Sequence, residues 1–277
     1  MRPFPAARLS YEFCALSDRG RVRSNNEDAV SVLEDAQIVV LADGMGGYNA
    51  GEVASSMATE FIGTEMARWL SEVGPAASAS DVRRALEICV TNANYAILSA
   101  ALAHSEYAGM GTTLVVGVFQ QERLILGHIG DSRCYRLRDG ALQQITRDHS
   151  WLQEQIDAGL LSPEEAAASG YRNLVTRALG VDAAVQVEIN EFPVQAGDLF
   201  ILCSDGLTDM VEDDALAEMA CMPLALPDKA SRLVELANNL GGRDNISVLL
   251  VHSHAAAGGL TRRRGLMSRL LGAAGAD

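Results

Sequence analysis

Much that would mark a secreted, nucleic-acid-binding or membrane-spanning protein is missing from this 277-residue chain. Its five cysteines (Cys14, Cys89, Cys134, Cys203, Cys221) are odd in number, widely spread and without a CxxC pair. That argues against a disulfide framework or a zinc knuckle and fits reduced thiols in the cytoplasm. Basic residues are scarce, 22 Lys and Arg against 36 Asp and Glu, for a formal net charge of -14. Nucleic acid and anionic membrane surfaces need clustered cations, so neither is an expected partner. The start "MRPFPAARLS" lacks the apolar segment of a signal peptide, and no apolar run approaches the roughly 18 residues of a membrane span. What is present is 48% hydrophobic residues against 21% charged, enough for one sizeable core.

Short β-branched or alternating segments come first: "YEFCALS", "AVSVLE" and "QIVVLAD". Two helical patterns follow. The first has Val53, Met57, Phe61 and Met66 along one side; the second has Ser80 or Asp81 as its expected cap and an apolar stripe through Val82, Leu86, Val90 and Ile97. Strands resume as a meander from "TTLVVGVFQ" to "ALQQIT", with turns too short for βαβ crossovers. Three later strands, and a helix in "PDKASRLVELANNL", complete the pattern. The expected class is α+β, with layered sheets and helices. The domain is expected to run over 1–253 with an insertion at about 150–172, leaving 254–277 as a flexible basic tail.

Acidic residues recur where strands meet loops: Asp28 in "RSNNEDAV", Asp43 in "LADGMGG", Asp131 in "GHIGDSRCYRL", Asp205 in "LCSDGLTD" and Asp244 in "GGRDNISV". Asp-Gly is a common turn, so each case alone reads as a turn. If the five converge, one carboxylate pair about 4 Å apart costs ~4 kcal/mol at an effective dielectric near 20. Divalent cations would turn that cost into binding. Oxygen donors without a Cys or His cluster select hard ions, Mg²⁺ or Mn²⁺.

The segments "SDRGRVRSNNED", "LADGMGGYNAGEVAS", "GTTLVV", "GHIGDSRCYRL", "LVTRALG", "DLFILCSDGLTDMV" and "GGRDNISVLLV" appear in that order. Together they resemble the metal-dependent type 2C serine/threonine protein phosphatases in their compact bacterial form, over roughly Tyr11 to His252. The resemblance implies a four-layer α-β-β-α sandwich of two antiparallel sheets, with two Mg²⁺ or Mn²⁺ ions between them. It implies that Asp43 bridges both metals and that the Gly44 carbonyl binds one. Asp205 and Asp244 would hold the second, while Glu27 and Asp28 act through waters. Asp131 with Asp205 matches the position of a third, weaker metal. Arg23 stands where the family grips the substrate phosphate, and a planar guanidinium suits that task. A water shared by two cations would attack phosphorus directly, with no protein nucleophile. Where some members carry a histidine after the Asp-Gly, this chain has Met45, so no side chain is assigned as general acid. His149 is expected to be a hydrogen-bonded structural residue, and the insertion a substrate-selecting flap.

The implied partners are phosphorylated proteins and a bacterial Ser/Thr kinase that the enzyme opposes, with a monomer as the default state. Two readings compete. A silent regulatory member would usually lack some of these aspartates, all of which are filled here; a two-metal nuclease would need a basic groove. A phosphate-binding loop at "DGMGGYNAG" fails, because no Lys-Ser/Thr follows its glycines.

Overall fold

The computed structural model describes residues 9–46, 50–74, 77–167, 169 and 174–256. Its strands and helices begin with β1 (Leu9–Asp18), β2 (Asp28–Leu33), β3 (Ile38–Met45), α1 (Ala50–Val73) and α2 (Ala79–Ala103). The meander is β4 (Gly111–Thr112), β5 (Leu114–Gln120), β6 (Arg123–Ile129), β7 (Arg133–Arg138) and β8 (Ala141–Gln144). Then come α3 (Trp151–Asp157), α4 (Pro163–Ala167), β9 (Glu188–Pro193) and β10 (Leu199–Cys203). The last group is α5 (Asp205–Thr208), α6 (Asp213–Cys221), α7 (Leu226–Asn239) and β11 (Ile246–Ala255). One sheet runs β1-β11-β10-β7-β8 and the other β2-β3-β5-β6-β9, with β4 added beside β3. The paired strands are antiparallel throughout.

The apolar runs that define the central strands follow from burial on both faces. In β3, Val39 and Leu41 join Phe119, Phe200, Leu202, Leu249 and Val251 between the sheets. Their alternates Ile38, Val40 and Ala42 face α1 and α2, with Ile62, Leu86, Val90 and Ile97. On the other side Leu199, Ile201, Val248 and Leu250 pack beneath Leu216, Leu233 and Val234 of α6 and α7. The order helix, sheet, sheet, helix is the four-layer sandwich that the resemblance implies.

Four details differ from the expectation. The buried face of α1 is made of Ala54, Ser55, Ala58, Thr59, Ile62, Gly63 and Met66, while Val53, Met57 and Phe61 are only partly buried. Small side chains let this helix lie close on β2 and β3, which overrides the simple preference for the largest apolar stripe. The cap of α2 is Ser78: its hydroxyl accepts from the Asp81 N–H, and the Asp81 carboxylate accepts from the Ser78 N–H, a full capping box. Helix α6 adds an element to the expected pattern. By length and apolarity alone α2 could also cross a bilayer, contrary to the reading that no segment comes near that length. Here Val82, Leu86, Val90 and Ile97 are fully buried against the sheet.

The insertion begins at α3 and continues into α4; its ends are tied by a bridge between Ser150 and Val175. Residues 168 and 170–172 of the expected insertion and 257–277 of the expected tail lie outside the described residues, while His254 and Ala255, expected in the tail, complete β11 because they continue its ladder with β1.

Candidate metal centre

Antiparallel pairing carries the strand-end acids to one edge of the sandwich. Asp28 opens β2 and Asp43 lies near the end of β3, and the two are direct partners in the register. Like charges facing each other across a ladder destabilise a sheet. Asp131 follows β6, Asp205 follows β10 and Asp244 precedes β11, all at the same edge.

These groups sense one another. Burial is the first cause that lifts the Asp43 carboxyl well above its usual range, followed by the charges of Asp28, Asp205, Asp131 and Asp244. Asp205 is raised well above its usual range by burial, then by Asp131, Asp209, Asp244 and Asp28. Burial brings Asp131 to about 6 and Asp28 to about 6, the latter opposed by hydrogen bonds from Ser247 and Ser204. The Ser204 hydroxyl donates to Asp28 Oδ2 at 2.7 Å. Asp28 Oδ1 is buried with no hydrogen-bond partner. An orphaned carboxylate oxygen among mutually repelling acids is what a hard cation would satisfy, and an all-oxygen donor set suits Mg²⁺ or Mn²⁺. The residues present fit the group.

Close backbone approach explains the glycines. A Cβ at Gly44 would lie 2.1 Å from the Gly51 carbonyl oxygen and 2.5 Å from that of Glu27. One at Gly206 would lie 2.0 Å from the Asn245 carbonyl oxygen. Glycine therefore lets the first turn of α1, the Glu27 segment and the end of β3 meet at Asp43. The Glu27 carbonyl accepts from the Gly44 N–H at 3.1 Å and from the Ser55 hydroxyl at 2.6 Å.

Arg23 is also brought to this edge, though not as an open fork. Its Nη2 donates to Asp244 Oδ2 at 2.6 Å, and its side chain remains 51% exposed. The expected phosphate grip and the expected metal ligand are thus partners of each other, with the rest of the guanidinium facing solvent. Glu27 stands beside them: its Oε1 accepts from Asn25 at 3.2 Å.

Several supports were not singled out from the sequence. Asn245 receives the Glu27 N–H at 2.8 Å and donates to the carbonyls of Arg19 and Asn25 at 3.0 and 2.9 Å, so one side chain clamps the Arg23 loop. Thr113 accepts from the Asp43 N–H at 3.0 Å and shares a hydrogen bond with Ser132 at 2.7 Å. Asp209 adds its charge to Asp205 and Asp131. The only sequence signal was adjacency: Asn245 follows Asp244, and Asp209 ends "SDGLTD". His149 is structural, as expected: its Nδ1 accepts from the Gly130 N–H at 3.1 Å, next to Asp131.

Residues 19–241 match the family described as protein phosphatase 2C. A serine/threonine phosphatase Stp of Listeria monocytogenes is 39% identical over 238 residues, 85% of this chain and 93% of the relative. The crystal structure of the Mycobacterium tuberculosis serine/threonine phosphatase PstP/Ppp superposes with a TM-score of 0.79 at 40% identity, covering 87% of this chain and 98% of that one. A PstP catalytic domain in complex with two manganese ions gives 0.77 at 39% identity, over 89% and 99%. With most of its length matched in sequence and in fold, the chain belongs to the protein phosphatase 2C family.

Proposed function

We propose that the strand-end carboxylates form the catalytic centre of a metal-dependent protein serine/threonine phosphatase that acts on phosphoserine and phosphothreonine. The observation that carries this is the group Asp28, Asp43, Asp131 and Asp205, raised by burial and mutual repulsion at the strand ends of the two sheets, with the partly exposed Asp244 adding its charge. Its relatives are named serine/threonine phosphatases, and one solved relative holds two manganese ions.

Asp43, the Gly44 carbonyl, Asp205 and Asp244 would hold a pair of Mg²⁺ or Mn²⁺ ions, with Glu27 and Asp28 acting through waters and Asp131 offering a third, weaker position. Bound there, such ions neutralise phosphoryl charge and supply a water acidic enough to attack at neutral pH. The chain's own residues do the rest. Ser204 holds Asp28, Thr113 holds the Asp43 backbone, and Asn245 fixes the loop that presents Arg23. Arg23 can exchange one carboxylate contact for the phosphate oxygens of a substrate, because its fork has donors to spare.

The flap at 150–172 would select among phosphoprotein substrates, supported by its two helices and its closed base at Ser150 and Val175. A Ser/Thr kinase would be the opposing partner, the monomer the working state, and the cytoplasm the location, which the five free thiols suit. The test is hydrolysis of a phosphothreonine peptide with Mn²⁺ and after EDTA. We expect turnover that chelation abolishes and added Mn²⁺ restores. Undiminished turnover in EDTA would overturn the reading.

A further inference from the structure

The outer face of the β1–β11 pair changes character along its length. Cys14 and Leu16 of β1 and Val248 and Leu250 of β11 pack under the helices. Two residues farther along β11 the same face carries His252, then His254, and Glu12 lies directly opposite His252 in the register. One ligand atom from each of Glu12, His252 and His254 lies within 4.8 Å of the other two. The imidazoles stand nearly edge to face, with centroids 4.3 Å apart, and His254 Nε2 lies 3.2 Å from Glu12 Oε2.

We infer that Glu12, His252 and His254 form a second metal site, for a borderline divalent cation of the Zn²⁺ class, separate from the carboxylate centre. Two imidazoles and a carboxylate are a donor set that zinc takes with a water in the fourth position, and a set that Mg²⁺ does not seek. Strand periodicity supplies the geometry: residues i and i+2 share a face, and a cross-strand partner closes the third corner. The nearby Lys229 ammonium donates to the Ala220 and Met222 carbonyls. Glu12 and His252 also border a cavity of about 520 Å³ shared with Cys221, which gives an ion and its water a way in. The site lies six residues along β11 from Ile246, roughly 20 Å from the edge that bears the aspartates. Bound metal would pin β1, an edge strand, to β11, its partner in the sheet.

A buried trio has similar proximity and a different chemistry. His128, His149 and Glu188 also place donors within 4.8 Å. There His149 Nδ1 accepts the Gly130 N–H, so Nε2 carries the proton and points it at Glu188 rather than offering a lone pair.

The test counts ions by difference, so it does not depend on what binds among the aspartates. Full-length protein and its H252A/H254A variant are dialysed against Zn²⁺ in excess Mg²⁺. The wild type should retain one more Zn²⁺ than the variant, and Zn²⁺ should raise the melting temperature of the wild type more than that of the variant. Glu12→Gln should weaken that extra site by at least about tenfold. Co²⁺ should give visible bands in the wild type that the variant lacks. Equal Zn²⁺ stoichiometry in the two proteins, or an equal melting shift, would overturn the inference whether or not the phosphatase reading stands.

Discussion

Asp43 and Asp28 face each other across a ladder with no ion pair to Lys or Arg among the described residues, while Arg23 pairs with Asp244 at 2.6 Å. A lysine in place of Arg23 could keep that one contact and lose the planar fork. Arg23→Lys should therefore lower kcat/KM on a phosphopeptide by roughly 10–100-fold, the loss of one charge-assisted hydrogen bond, with the melting temperature little changed. Unaltered kinetics would place the phosphate elsewhere. At this scale the candidate ligands could be picked out because Asp43, Asp131, Asp205 and Asp244 each adjoin Gly or Asn at a strand end. Their convergence was not, since spacing along a chain says nothing of which strand ends share an edge. Nor was the role of Asn245, whose three bonds reach residues 218 to 226 positions away.

Among the elements, α1 shows how packing overrides pattern. Its apolar residues predicted a face through Val53, Met57 and Phe61, yet the helix seats its small residues on the sheet. The reason lies at its first turn, where a Cβ on Gly51 would stand 2.8 Å from the Gly44 carbonyl and 2.9 Å from Glu27 Oε2. Gly51→Ala gains about 1 kcal/mol of helix propensity, but overpacking costs about 1–3 kcal/mol. The variant should therefore melt lower and bind Mn²⁺ more weakly, as calorimetry and titration would show. The strands were easier to read than the helices, because continuous apolar runs such as Ile38–Leu41 and Phe200–Leu202 record burial on both faces. Helix α6 escaped notice because only Leu216 and Ala220 of it are buried.

For the whole molecule, the buried acids couple folding to pH. Burial raises the Asp28 and Asp131 carboxyls to about 6, and it raises Asp43 and Asp205 well above the ordinary value of 3.8. The metal-free fold binds protons more tightly than the unfolded chain. Their contribution is complete below about pH 3.8 and is lost as pH rises through about 6. Mg²⁺ or Mn²⁺ should offset that loss, so the melting shift on adding metal should be larger at pH 7.5 than at pH 5. A shift independent of pH would detach the metals from these carboxylates.

The central claim is that one cluster of strand-end carboxylates both binds the ions and sustains the reaction. Titrating Mn²⁺ into EDTA-stripped protein, while free Mn²⁺ and phosphopeptide turnover are followed together, tests it most directly. The wild type should take up at least two ions, with turnover rising as they bind. Asp43→Asn should lose tight uptake and reduce turnover by at least about 10²–10³-fold. Wild-type uptake or turnover in that variant would contradict the account.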